Sequence, residues 1–176
     1  MPSYRLVCGV KLNNMEKILR SQRQIRFQDC DPFNHLNNAK YIDYFINARE
    51  DQIYEHYQLS AFEHFQSSGI SWLVSSNQIS YLKPASTMET VIIESELIQF
   101  TNKTLLVEMK MWDKQETELK AVLWTRFVHF DTRSNKVCNH SDDLMKLFGE
   151  IIVPVKEASF EERCAVIIQK LKTIKN

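Results

Sequence analysis

Phe27-Gln28-Asp29-Cys30-Asp31-Pro32-Phe33-Asn34-His35-Leu36-Asn37-Asn38-Ala39-Lys40-Tyr41 is the stretch around which the rest of this chain arranges itself. It packs two carboxylates, a histidine and the pair Asn37-Asn38 between two segments of different period. On its N-terminal side, Gln24-Ile25-Arg26-Phe27-Gln28 alternates polar and apolar residues, which predicts a half-buried strand over 22–29. On its C-terminal side, Tyr41, Ile42, Phe45, Ile46, Ala48 and Ile53 recur at helical spacing, which predicts a helix over 38–57. Asn is a favoured N-cap, so Asn37 and Asn38 mark where that helix opens. A strand is therefore expected to deliver Asp29 and Asp31 to the mouth of a helix. Unpaired N–H groups and the positive end of the helix dipole face outward there. A carboxylate, a histidine and pre-aimed N–H donors are the parts of acyl-group chemistry.

The ordered set Asp29-x-Asp31-x-x-x-His35-x-Asn37-Asn38-x-x-Tyr41, followed by Ala48-Arg49, resembles the signature of the 4-hydroxybenzoyl-CoA thioesterase-like branch of the hotdog-fold superfamily. It is also similar to the matching stretch of the plant acyl-ACP thioesterases. A second block, Asn77-Gln78-Ile79-Ser80-Tyr81-Leu82-Lys83-Pro84-Ala85, resembles the strand end that follows the central helix in that family. The resemblance covers residues 20–150 and implies an α+β hotdog domain. In such a domain a five-stranded, mostly antiparallel sheet wraps a central helix.

The bulk composition agrees with an ordinary globular protein. At 176 residues one domain is expected, with a core that needs neither disulfides nor metal. Its 22 basic and 22 acidic residues cancel, which gives no electrostatic reason to propose nucleic acid or an anionic membrane as partner. No apolar run approaches the ~20 residues of a membrane span. Cys8, Cys30, Cys138 and Cys164 are scattered without a C-x-x-C pair, which suits a reducing cytoplasm and suggests no zinc site. His56, His64, His129 and His140 show no metal-ligand spacing. With three glycines in the chain, tight turns are expected to use Asn, Asp, Ser and Lys.

In order along the chain, residues 1–18 are expected to form a tail, 19–150 the hotdog domain and 151–176 a helical extension. On the central helix, Lys40, Asp43, Arg49, Glu50 and Asp51 are expected among the wetter positions. Leu59 to Ser68 breaks the pattern and reads as a short helix or a loop. From Ile70 the period changes to two, and strands are expected through Leu82, around Val91 to Leu97, Leu105 to Met111 and Val122 to Phe130. Asp142 to Phe148 predicts a short helix. Beyond Pro154, the stripe Phe160, Cys164, Ile167, Ile168, Leu171 and Ile174 predicts a terminal helix that buries one face on the sheet or on a neighbouring subunit.

For the site, Asp-Pro by itself opens a turn at Asp31-Pro32. The resemblance implies a larger role, because the family's catalytic carboxylate is the second aspartate of D-x-D, which here is Asp31. Asp29 takes the bland role of a solvated or capping acid. His35 matches the histidine of the acyl-ACP thioesterases, although Phe33 stands where those enzymes carry an asparagine. Adjacent strand residues face opposite ways, so Cys30 reads as a structural thiol rather than a nucleophile beside Asp31. Asn38 is expected to act through its backbone N–H, and Asn37 and Tyr41 are candidates for substrate contact.

The expected reaction is hydrolysis of an acyl thioester carried by CoA or acyl carrier protein, without metal or cofactor. Asp31 would serve as nucleophile or general base and His35 as a positioning group. A homodimer or homotetramer is expected, because a single hotdog sheet leaves open edges. The competing readings are a hotdog enoyl-CoA hydratase and a non-catalytic acyl-binding protein. The hydratase loop places Asp and His five apart after a glycine, whereas Asp31 and His35 are four apart with none before them.

Overall fold

The computed structural model describes residues 15–174. The expected N-terminal tail lies outside the described residues up to residue 14, and Ile18 already opens the first strand. The elements in chain order are β1 (Ile18–Gln24), α1 (Tyr41–Tyr57), α2 (Ala61–Ser68), β2 (Ile70–Tyr81), β3 (Thr90–Phe100), β4 (Thr104–Asp113), β5 (Leu119–Asp131), β6 (Lys136–Val137), α3 (Asp142–Ile151) and α4 (Phe160–Ile174). Leu59 to Ser68 resolves as helix α2, because the Ser60 hydroxyl caps it by accepting from Glu63 N–H. The strand expected over 22–29 is displaced: pairing ends at Gln24, and Phe27–Asp29 make one 3₁₀ turn. Ile25 is fully buried while Phe27 is 74% exposed, so the alternation there reflects one anchor residue rather than a ladder.

The sheet runs β1-β3-β4-β5-β2, antiparallel at every pairing, with two-residue β6 added to β5. This is the hotdog arrangement that the motif implied. Register shifts at Val74/Ser76, Leu97/Gln99 and Met111/Trp112 mark irregularities of the kind that raise local twist and let one sheet wrap a helix. The inner face carries Val91, Ile93, Leu97, Val107, Met109, Met111 and Leu123, packed on Tyr41, Phe45 and Ala48 of α1 and on α3. Few tight bends use glycine. Left-handed φ falls on Asn34, Gln58, Met88, Glu116 and Asn135, with Gly69 at 73° closing α2. Arg49 is not among the wetter residues of α1: it is buried against the sheet, because its position on the helix faces β3.

The outer face has a second core. Ile98, Leu106, Leu119, Val122 and Trp124 lie under Phe160, Cys164 and Ile167, so α4 buries the first half of its stripe on its own sheet, with Leu171 half-buried beside it and the Ile174 side chain outside the described residues. Between the apolar contacts lies an ionic cluster. Glu96 and Glu108 are direct cross-strand partners, a placement that repels. Lys110 offsets it at 2.7 Å from Glu96, 2.9 Å from Glu108 and 3.0 Å from Glu94. Arg163 of α4 reaches down to both Glu108 oxygens at 2.9 Å. Burial alone would raise the Glu108 pKa, but Arg163, Lys110 and the Trp124 indole N–H hold it down at about 2.

Candidate active site

The loop between the 3₁₀ turn and α1 closes on itself before it meets the rest of the fold. Cys30 pairs with Leu36 in an isolated bridge, Asp31 N–H donates to His35 C=O at 2.8 Å, and Asn34 N–H donates to Asp31 C=O. Asn34 makes the reversal at φ 63°, a left-handed position that asparagine tolerates. The Asp31 side chain fixes the turn, with Oδ1 accepting from Phe33 N–H at 2.9 Å and His35 N–H at 3.1 Å. Its other oxygen, Oδ2, has no partner among the described residues. One carboxylate thus performs the turn role of Asp-Pro and still presents an unengaged oxygen.

The loop is pinned from behind by the segment after β2. Leu36 N–H donates to Ala85 C=O, Thr87 N–H donates to Asn34 C=O, and His35 bridges Ser86. The half-buried His35 ring has no partner among the described residues. Asp29 is held differently from Asp31: its Oδ2 accepts the Tyr44 hydroxyl at 2.9 Å, and that hydroxyl accepts Arg26 N–H. Asp29 is thus neither fully solvated nor a helix cap: it is half-buried and held by the Tyr44 hydroxyl. Cys30 Sγ donates to Arg26 C=O at 3.3 Å, as a structural thiol does.

Helix α1 starts three residues later than expected, at Tyr41, because Asn37 first makes a turn of its own. Its Oδ1 accepts Ala39 N–H at 3.0 Å and its C=O accepts Lys40 N–H at 2.8 Å. Lys40 then stands as N-cap with no side-chain cap. Asn38 N–H has no acceptor among the described residues, while its C=O accepts the Tyr81 hydroxyl at 2.8 Å. Tyr41 is buried, accepts Ala85 N–H at 3.0 Å, and packs edge-on against Tyr81 with ring centres 5.1 Å apart. Burial raises its hydroxyl pKa above the usual value, so it is neutral. Tyr44 and Tyr81, which hold Asp29 and the Asn38 peptide, were missed in the sequence; their helical and strand spacing made them look like ordinary framework.

With this geometry in place, the chain can be set beside known proteins. The model of the thioesterase-like superfamily matches residues 25–148. The chain belongs to the thioesterase-like superfamily. The enzyme class that this membership carries is thioester hydrolase. The matched span contains the whole loop, α1, α2 and the four long strands β2 to β5, and it leaves out β1 and α4. Among curated proteins the chain is similar to the long-chain acyl-CoA thioesterase FadM of Escherichia coli, 22% identical over 134 residues, which is 76% of this chain and 99% of that one. Among solved structures it is similar to Slr0204, a 1,4-dihydroxy-2-naphthoyl-CoA thioesterase from Synechocystis, at TM-score 0.68 and 13% identity, covering 76% of this chain and 95% of that one. It is also similar to SAV2348 of Staphylococcus aureus, solved in complex with CoA, at TM-score 0.72 and 12% identity, covering 84% and 94%. No helix among the described residues is long and apolar enough to cross a membrane.

One grouping was not legible in the sequence. His64, His129 and His140 come from α2, β5 and the loop before α3, and stack with Trp72 at the end of the sheet. Burial lowers all three pKa values, that of His140 to about 4.

Proposed function

We propose that this thioesterase-like protein hydrolyses acyl-CoA thioesters, releasing a free acid and CoA thiol. The observation that carries the reading is the Asp31 carboxylate, fixed through Oδ1 by two backbone N–H groups while Oδ2 stays unengaged. In this reading Oδ2 either attacks the thioester carbonyl or takes a proton from a water that does. In the first case the C–S bond breaks to leave a mixed anhydride on Asp31, which water hydrolyses to the free acid. In the second the water's oxygen forms the new C–O bond as the C–S bond breaks, and in both the thiolate leaves and is protonated. The unpaired N–H of Asn38 stabilises the oxygen on which charge grows, a contribution worth ~3 kcal/mol for a typical donor of this kind. His35 positions substrate or water, and Asn37 and Tyr41 shape the substrate's approach. A thiolate is a good leaving group, so neither metal nor cofactor is required. CoA is favoured over acyl carrier protein as carrier, in line with FadM and with the CoA bound to SAV2348. A reducing cytoplasm fits Cys30, Cys138 and Cys164, all of them free thiols.

The same reading includes a homodimer or a homotetramer. Among the described residues β2 pairs only with β5, and residues 73–78 are exposed in an unbroken row along the sheet edge. Leu73 and Val74 are 46% and 47% exposed there, and Phe33 on the catalytic loop is 77% exposed. Open edges of that length invite a second strand.

The test is thiol release measured across acyl-CoA esters of graded chain length and with an aromatic head. Turnover on some of them is expected. Loss of enoyl absorbance without thiol release would indicate a hydratase instead, and tight binding without turnover an acyl-binding protein.

A further inference from the structure

Under α1, away from its N-terminus, Ile46, Ile53, Leu97, Leu105, Phe127 and Phe148 line a cavity of about 140 Å³. Arg49 also lines it. The guanidinium is buried and makes one hydrogen bond, from Nη1 to Ser95 Oγ at 3.1 Å. Ser95 in turn donates to Gln52 Oε1, and Gln52 is spent on Ser21 Oγ and Ile93 C=O. A guanidinium has five N–H donors. No carboxylate lies within ion-pairing distance of Arg49 among the described residues; Glu50, next to it in sequence, lines the mouth of the same cavity but is exposed and does not pair with it. A buried cation without an anion is costly, and folds rarely keep one unless something else pairs with it. Burial lowers its pKa to about 10, so it is still charged at neutral pH.

From the apolar walls and the unpaired guanidinium together, we infer that this cavity is a carboxylate-binding site: Arg49 takes the carboxylate and the cavity takes its short aliphatic body. The cavity volume is well above the ~10–15 Å³ in which the centre of one small group can sit, so there is room for a short aliphatic body. Guanidinium and carboxylate match geometrically, two parallel N–H donors to two oxygens. Such a carboxylate has two sources. It is either a free carboxylic acid, or the far end of a dicarboxylyl group whose near end is the thioester. The second source rests on the thioesterase reading; the first does not.

Pentanoate and pentanol, equal in chain length and different in charge, are compared by thermal shift and calorimetry on the full chain with no thioester present. Pentanoate is expected to bind at least about tenfold more tightly than pentanol. Arg49→Met is expected to erase that preference while keeping or raising the melting temperature of the ligand-free protein, since it removes a buried unpaired charge. A purely structural arginine would instead lower it. Arg49→Lys, which retains the charge, should retain part of the preference. In a second arm, KM for thiol release is compared between dodecanedioyl-CoA and dodecanoyl-CoA, long enough to span the ~12 Å of α1 from Tyr41 to Arg49. A lower KM for dodecanedioyl-CoA that disappears in Arg49→Met assigns the site to the substrate's far end. Equal KM values with pentanoate binding intact assign it to a free acid. The inference is overturned if neither charged ligand is preferred over its neutral counterpart, or if the preference survives in Arg49→Met. Should pentanoate bind as expected while no acyl-CoA releases thiol, the thioesterase reading fails and the carboxylate site stands.

Discussion

Asp29 and Asp31 lie two residues apart and are held in opposite ways, which makes them a matched pair for testing the site. Asp29 spends its Oδ2 on the Tyr44 hydroxyl, whereas Asp31 keeps one oxygen open. Asp31→Asn retains an oxygen to accept the Phe33 and His35 N–H groups of the loop but removes the charge. Thiol release from the best acyl-CoA should then fall ~10²–10⁴-fold in kcat, with KM little changed. Asp29→Asn and Tyr44→Phe should each cost about 1 kcal/mol of stability and leave kcat nearly intact. If Asp31→Asn keeps more than about a tenth of the rate while Asp29→Asn loses it, the two roles are reversed. The histidine stack makes a separate prediction about pH. His140 Nε2 accepts the Trp72 indole N–H at 3.1 Å and its Nδ1 faces Thr101 C=O, a pattern that only the neutral ring satisfies. Its pKa is depressed from 6.5 to about 4, so the unfolded chain binds the proton first. The stabilisation is complete above about pH 6.5 and is lost as pH falls towards about 4. Melting temperature should therefore drop across that window, and His140→Gln should flatten the drop. The candidate catalytic loop was legible because its residues are contiguous. The histidine stack was not, because its members lie 65 and 11 positions apart and only the fold brings them together.

Among the elements, β3, β4 and β5 could be read from the sequence almost to their ends, since each alternates between two buried faces. β1 could not. Its inward positions are Leu19 and Ser21, and Ser21 faces α1 because Gln52 Nε2 donates to its hydroxyl at 2.8 Å. A strand whose inner face is partly polar carries no period-two apolar signal, so the alternation at Ile25 and Phe27 drew the expectation downstream. α4 was legible as a stripe, but its target was not, because two glutamates facing each other on a sheet look like solvent-facing positions. Removing residues 158–176 should expose Val122, Trp124 and the ionic cluster, lowering both melting temperature and solubility. An unchanged melting temperature would show that α4 is dispensable. Lys110→Met should be worse than the loss of either neighbouring contact, at ~3–5 kcal/mol, because it leaves three buried glutamates sharing Arg20 and Arg163 alone. Urea unfolding measures it directly.

At the scale of the whole molecule, the sheet ends in β1 on one side and β2 on the other, and β2 is the long exposed one. Sedimentation at micromolar concentration should give a dimer or a tetramer, and Leu73→Glu with Val74→Glu on that edge should shift it towards monomer. A wild-type monomer would count decisively against the assembly. The strand order has a further consequence, for how the chain comes into being. The two edge strands are made first, together with α1 between them, and their partners β3 and β5 come later: Ile18 pairs with Glu96 and Ile70 with Asp131. While the ribosome is still adding β3, neither early strand has its full ladder, and α1 has no sheet to lie on. The meander β3-β4-β5, closed by the short turns after Phe100 and Asp113, is the most local part of the sheet and the cheapest to form. Folding therefore waits for the last long strand, and the loop from Phe27 to Lys40, encoded near the start, is among the last parts to take shape.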